Sequence, residues 1–281
     1  MKVREYMSSP VIVVGPTDTL AYVRNIMLKE GISRLVVVER SCPIGTITRK
    51  DIIRKIKDQK FQIRDFDAIF VNEIMRSPVS VISEDASIST VAKKMMLENI
   101  RGLPVVNNNG ELVGIITKTD LTRYFADNFR GKMPVKLIYQ KENLPIVRRT
   151  HSIYRVMTML EDLNVDRVIV VEGNKPVGII TETDLSFLAP PKKVESFFKI
   201  RRREFSEMSY DRIYLIPIAE DIMTRDPIVV EEEKDASEAA KIIIDNNIGG
   251  MPVVDGKGEL SGIITKFDFV RAIAREVEKL D

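Results

Sequence analysis

An α/β fold of four consecutive copies of one strand–helix–strand–strand–helix unit is what this sequence predicts, and three patterns predict it. Four segments end alike, in Gly45-Thr-Ile-Thr48-Arg-Lys-Asp51, Gly114-Ile-Ile-Thr117-Lys-Thr-Asp120, Gly178-Ile-Ile-Thr181-Glu-Thr-Asp184 and Gly262-Ile-Ile-Thr265-Lys-Phe-Asp268. Ahead of each lies an apolar stripe at helical spacing, and between stripe and glycine lie apolar, β-branched runs split by turn residues. A unit of roughly 60 residues that recurs in this way cannot bury both faces of its small sheet alone, so its copies must pack on one another.

The elements follow in a fixed order. The first helix is read from apolar residues at i, i+3 and i+7: Leu20, Val23 and Met27; Ile88, Val91 and Met95; Ile153, Val156 and Leu160; Ala236, Ala239 and Ile243. Core packing accounts for this stripe, and Met27, Met95 and Met96 read as packing rather than as a ligand box. The first hairpin strand is Leu35-Val-Val-Val38, Leu103-Pro-Val-Val106, Val168-Ile-Val-Val171 or Met251-Pro-Val-Val254. A turn follows, as in Asn107-Asn-Asn-Gly110 and Glu172-Gly-Asn-Lys175, with Cys42 read into the turn of the first copy beside Pro43. The second hairpin strand runs into Gly-φ-φ-Thr, where φ is apolar except for Thr46. A second helix follows the Asp, carried by Ile52, Ile53 and Ile56, by Leu121, Tyr124 and Phe125, and by Phe269, Val270 and Ile273.

Copies two and four share a Leu/Met-Pro-Val-Val strand and a Gly-Glu-Leu turn, whereas copies one and three share an Arg before an unbroken apolar run (Arg34, Arg167) and a Pro in the turn (Pro43, Pro176). That alternation reads as duplication of a pair. It predicts modules of copies one with two and three with four, joined near residues 126–140, and a fragment ending near residue 130 that folds alone. The repeats are expected at 1–60, 71–130, 136–190 and 218–281. Between the last two, 191–217 is expected as a basic amphipathic linker, in which Lys192, Lys193, Lys199 and Arg201-Arg202-Arg203 interleave with Phe197, Phe198, Ile200 and Phe205. A solvated linker helix with its aromatic face packed down is the plainer reading of it; docking to a partner, to nucleic acid or over a cleft is the functional one.

Composition narrows the function. The 281 residues carry 43 Lys and Arg against 41 Asp and Glu, a formal charge of +2 that does not point to nucleic acid or an anionic membrane. A single cysteine excludes an intrachain disulfide and a multi-Cys zinc site, and a single histidine excludes any site that needs two. No metal site and no catalytic residue is expected, since no G-x-S-x-G elbow occurs either. His151, beside Arg148 and Arg149, reads as an exposed loop residue, with a phosphate contact as the sharper alternative. The charged start, Met1-Lys2-Val3-Arg4-Glu5, and the lack of an apolar run of about 18 residues predict a soluble, cytoplasmic protein.

The recurring Thr-x-x-Asp has two readings. A strand that ends at Thr just before a helix offers free N–H groups and a positive dipole end to an anion, the Thr hydroxyl can add a donor to phosphate, and an Asp in the first turn can accept from both hydroxyls of a ribose. The Gly would let backbone approach a bound ring. The same spacing is close to a capping box, in which Thr and Asp merely satisfy the helix start, although a box prefers Glu or Gln.

The order of elements, the Met-to-Pro entry (Met75 to Pro78; Met223 to Pro227 with one more residue) and the terminal Gly-φ-φ-Thr-x-x-Asp resemble the cystathionine β-synthase (CBS) domain. Four copies in one chain are similar to the γ subunit of AMP-activated protein kinase and its stand-alone archaeal relatives. The resemblance implies two pseudo-symmetric Bateman-type modules, for which a head-to-head disk is one arrangement. It implies a regulatory protein, not an enzyme and without a cofactor, that binds AMP, ADP or ATP in clefts between paired repeats and reports to an unidentified regulated protein. The nucleotide contacts it implies are Thr48 and Asp51, Thr117 and Asp120, Thr181 and Asp184, Thr265 and Asp268, with Arg101 lining the first cleft, Ser33 and Arg34 the second, and Asp166 and Arg167 the last. The Thr181/Asp184 cleft would meet Gly249 and Gly250, where the γ subunit has a His-Arg pair, and so would lack a cation. Two alternatives stay open: another adenosyl ligand such as S-adenosylmethionine, or a nucleic-acid scaffold using 192–203. A homodimer is compatible with all of these readings, and a membrane partner with none.

Overall fold

The computed structural model describes residues 1–56, 65–186 and 217–278. Nearly all of the basic stretch at 191–217 lies outside them. The chain forms two compact units, and the partition cuts across the repeats: one unit holds Met1–Lys132 with 236–247 and 266–281, the other Met133–Asp235 with 248–265.

In the first unit, copy one runs β1 (Val13–Val14), α1 (Leu20–Lys29), β2 (Arg34–Glu39), β3 (Cys42–Thr48) and α2 (Arg49–Ile56), and copy two runs β4 (Ile82–Ser83), α3 (Ile88–Leu97), β5 (Gly102–Val106), β6 (Leu112–Thr117) and α4 (Lys118–Asn128). Each copy makes one three-stranded sheet, its short first strand parallel to the hairpin strand and the hairpin antiparallel. The parallel pairing requires a crossover, which is the reason for the intervening helix. Thr19 caps α1 by accepting from Tyr22 N–H at 3.3 Å, and Ser87 caps α3 by accepting from Thr90 N–H at 3.1 Å. Leu20, Val23 and Met27, then Ile88, Val91 and Met95, face the core as their period predicts, while Met96 is half-buried. The copy-one turn is tighter than expected: Arg40 and Ser41, both at positive φ, make it, and Cys42 already belongs to β3.

The second unit repeats the scheme with β7 (Ile146–Arg148), α5 (Ile153–Asp162), β8 (Arg167–Glu172), β9 (Lys175–Thr181) and α6 (Glu182–Ser186). Copy four follows with α7 (Ala219–Ile222), β10 (Thr224–Arg225), β11 (Val230–Glu231), α8 (Ala236–Asp245), β12 (Gly250–Val254), β13 (Leu260–Thr265) and α9 (Lys266–Glu278). Its strands stay in the second unit, but α8 and α9 lie in the first, packed on α3 and α4. Phe125 and Phe269 meet there with ring centroids 5.0 Å apart, both fully buried with Leu121.

Paired copies exchange their entry segments. Ser8 of copy one bonds reciprocally with Ile115 of copy two, and Arg76 of copy two with Thr46 of copy one. Gln140 of copy three does so with Ile263, and in copy four β10 adds to β9 with Thr224 opposite Ile179. The residue before each pairing covers the repeat glycine. A Cβ added to Gly114 would collide with Met7, to Gly45 with Met75, to Gly178 with Met223, and to Gly262 with Tyr139 and the Gln140 carbonyl. The glycine read above as room for a ligand ring instead makes room for the partner copy's entry side chain.

Candidate ligand clefts

Each second hairpin strand hands its terminal Thr directly to a helix whose third residue is the Asp. Asp120 Oδ2 accepts from Thr117 N–H and from the Thr117 hydroxyl, both at 2.7 Å. Asp184 Oδ2 does the same with Thr181 at 2.7 and 2.8 Å. Asp51 Oδ2 accepts from Thr48 N–H at 3.0 Å and from its hydroxyl. The capping geometry is therefore real, and it uses one oxygen of each carboxylate. The hydroxyl's single proton goes to the Asp, so in this arrangement Thr is not the phosphate donor the sequence suggested.

The second oxygen of the carboxylate faces elsewhere. Asp51 Oδ1 accepts from Arg76 Nε at 2.7 Å, whereas Asp120 Oδ1 and Asp268 Oδ1 meet arginines one turn further along their own helices, Arg123 at 3.4 Å and Arg271 at 3.1 Å. Each pairs a nearly buried carboxylate with an exposed guanidinium: side-chain exposure is 7% for Asp51 against 65% for Arg76. Burial pushes the Asp120 carboxyl above its usual range, opposed by the Thr117 bonds and the Arg123 charge. Thr265 ends β13, and Asp268 is buried on α9.

The predicted arginines converge in two places. Arg34 stands opposite Thr48 across its hairpin, and its Nη1 donates to the Gly102 carbonyl at 3.0 Å, opposite Thr117. A Cβ at 102 would meet the guanidinium, so Arg34 could keep this position only with a glycine there. Arg34 is less basic than an ordinary guanidinium, first through burial, next through Arg101 beside it and also through Arg76, while Asp51 acts in the opposite direction. Arg76, Arg101 and Asp51 thus all lie near enough to Arg34 to act on its charge, and Arg76 is bonded to Asp51.

In the second unit Arg167 is buried, its Nε bound to Asp166 Oδ1 at 2.8 Å and its Nη1 to the Gly250 carbonyl at 3.2 Å. Gly250 stands opposite Thr265 and Arg167 opposite Thr181. Gly249 and Gly250, expected to leave that place without a cation, instead border the Arg167 guanidinium, which fills the space beside Gly249 and donates to the Gly250 carbonyl. His151 Nδ1 accepts from Arg148 N–H at 3.2 Å within its turn, and Arg149 pairs with Glu220 at 3.0 Å and Glu172 at 3.1 Å. These three residues are engaged locally. Among the described residues no cluster of His, Cys, Asp and Glu could hold a metal ion, and no helix is long and apolar enough to cross a membrane.

Sequence reasoning missed Arg76, Arg123 and Arg271. The last two sit three residues after their Asp, a spacing at which helix side chains meet, so the signal was there. Arg76 carried no such signal, because it reaches Asp51 only through the exchange of entry segments.

Such an architecture defines a class: tandem α/β repeats that present a carboxylate and basic side chains at the strand-to-helix junctions of paired copies. The CBS domain model matches residues 3–58, 71–127, 138–189 and 219–275, and the chain belongs to that family. It is 29% identical over 281 residues to the uncharacterized protein MJ1404 of Methanocaldococcus jannaschii, covering 97% of this chain and spanning 62% of that relative's length. Identity to MJ1225 of the same organism is 27% over 276 residues, covering 94% of this chain and 95% of the relative. The crystal structure of MJ1225, described as a proposed archaeal homolog of g-AMPK, superposes with a TM-score of 0.75 at 25% identity, covering 98% of this chain and all of that one. An uncharacterized conserved protein from Pyrococcus horikoshii has the same fold, with a TM-score of 0.69 at 22% identity over 97% of this chain and 100% of its own.

Proposed function

We propose that this protein binds adenosine nucleotides, AMP, ADP or ATP, at the Thr-x-x-Asp junctions and acts as a regulatory, non-catalytic protein whose occupancy is read by another protein. The grouping of Arg76, Arg101 and Asp51 about Arg34, with Arg76 bonded to Asp51, carries this reading. A carboxylate accepts but cannot donate, which suits a vicinal diol, and guanidiniums grouped beside it suit a phosphate. A ligand bearing both groups satisfies the two requirements at once. S-adenosylmethionine would satisfy the diol requirement, but its sulfonium would bring a positive charge among guanidiniums. The likeness to MJ1225 supports a nucleotide-sensing role. Signalling then rests on the differential affinity of the ligand for two poses of the paired copies.

Thermal unfolding and calorimetric titration of the full chain with AMP, ADP, ATP and S-adenosylmethionine test the proposal. A ligand at 100 times its dissociation constant adds about 2.7 kcal/mol to stability, so the nucleotides are expected to raise the midpoint without being turned over. Stabilisation by S-adenosylmethionine with none by any nucleotide would reverse the assignment.

A further inference from the structure

At one register position the four entry segments differ in a way that bears on ligand choice. The residue hydrogen-bonded beside each repeat glycine is Ser8 facing copy two, Arg76 facing copy one, Gln140 facing copy four and Thr224 facing copy three. Only Arg76 is cationic. Its backbone is pinned by two bonds to Thr46, N–H to carbonyl at 2.8 Å and the reverse at 3.1 Å. Its side chain takes the outer oxygen of Asp51, the oxygen left over once Oδ2 has closed on Thr48. A ribose therefore meets a competitor there.

Resting on the nucleotide reading above, we infer that Arg76 sets the specificity of the Thr48/Asp51 cleft by competing with the ribose for Asp51 and turning to the phosphate of a ligand that has one. A ligand whose diol takes Asp51 Oδ1 must displace the guanidinium. A phosphate gives the displaced charge a new partner, whereas a bare nucleoside breaks the ion pair without replacing it. Because Arg76 is exposed and Asp51 is not, the arginine is the member of the pair free to move. The Thr117/Asp120 cleft receives Ser8 at this register position; the arginine on its outer oxygen, Arg123 at 3.4 Å, comes from its own helix, not from the entry segment.

Methionine methyl groups make the clefts separately readable, since Met75 covers Gly45 and Met7 covers Gly114. Full-length protein labelled at methionine methyls is titrated with AMP and with adenosine, and the Met75 resonance is followed. In Arg76→Ala, adenosine is expected to bind at least tenfold more tightly at Met75 than in wild type, AMP no more tightly, and the Met7 titrations are expected not to change. Arg76→Lys, which keeps a cation within reach of Asp51, is expected to stay close to wild type. Unchanged or weaker adenosine binding in Arg76→Ala, with AMP still binding, would overturn the role of Arg76 alone. If neither ligand shifts Met7, Met75 or Met223 in wild type, the nucleotide reading fails with it.

Discussion

Asp51 and Asp120 each divide two tasks between two oxygens. Oδ2 closes the helix start on Thr, while Oδ1 meets an exposed arginine that a ligand could displace, so cap and ligand contact do not exclude each other. Asp120 is the clearest test. Its folded pKa is raised by burial, so its contribution to stability is fullest below the ordinary value of 3.8 and is lost as pH rises through the folded value. Asp120→Asn removes the buried charge and keeps a capping oxygen. At pH 7 its stability is expected within about 1 kcal/mol of wild type, and wild type should gain on the variant as pH falls towards 3.8 in denaturant titrations at a series of pH values. Nucleotide affinity at that cleft is expected to fall at least tenfold, because a neutral amide replaces a charge-assisted acceptor. A variant that keeps full affinity but loses stability would make Asp120 a cap only.

At the scale of elements, the exchanged entry segment is what holds two copies as a pair. It adds backbone bonds to the partner's hairpin strand and sets a Met or Tyr on the partner's glycine, so the space above the glycine is filled from the other copy. The covers differ in how far they can yield. A methyl group at Gly262 would press on the Gln140 carbonyl and on the Tyr139 ring, at 2.5 Å from its Cδ2. At Gly114 the obstacle is the flexible thioether of Met7. Gly262→Ala is therefore expected to destabilise by about 1–3 kcal/mol, and Gly114→Ala by clearly less. Thermal midpoints of the two variants check the order, and the reverse order would mean that the entry backbone, not the side chain, is the softer part.

For the molecule as a whole, the boundary between compact units is not the boundary between repeat pairs. Copy four contributes α8 and α9 to the first unit, where they cover Leu121 and Phe125. Exposing a Leu or Phe of this kind costs about 1.5–3 kcal/mol each. The packing argues against the expectation that the first half stands alone. A fragment of residues 1–132 is expected to unfold at a lower temperature than the full chain and to self-associate through the uncovered face of α3 and α4. Sedimentation as a stable monomer with the full-chain midpoint would show that α8 and α9 are dispensable to it.

Local periodicity was enough for the unit itself. Helical stripes such as Leu20, Val23 and Met27 and the β-branched hairpin runs each stand on one element, where side-chain direction follows directly from spacing. The Thr-x-x-Asp junction was legible for the same reason, since strand end, cap and first turn are neighbours in the chain. Arg76 on Asp51, Met7 on Gly114, the Arg167 guanidinium against Gly249 and Gly250, and the passage of α8 and α9 into the first unit all join residues far apart in sequence. No single-sequence pattern encodes such pairings, because each depends on which partner surface completes the burial of an apolar face or the pairing of a charge. The sequence determined the repeat, its elements and the chemistry available at each junction. Tertiary structure decided which copy supplies the cations, what fills the space at each glycine, and which oxygen of each carboxylate is left for a ligand.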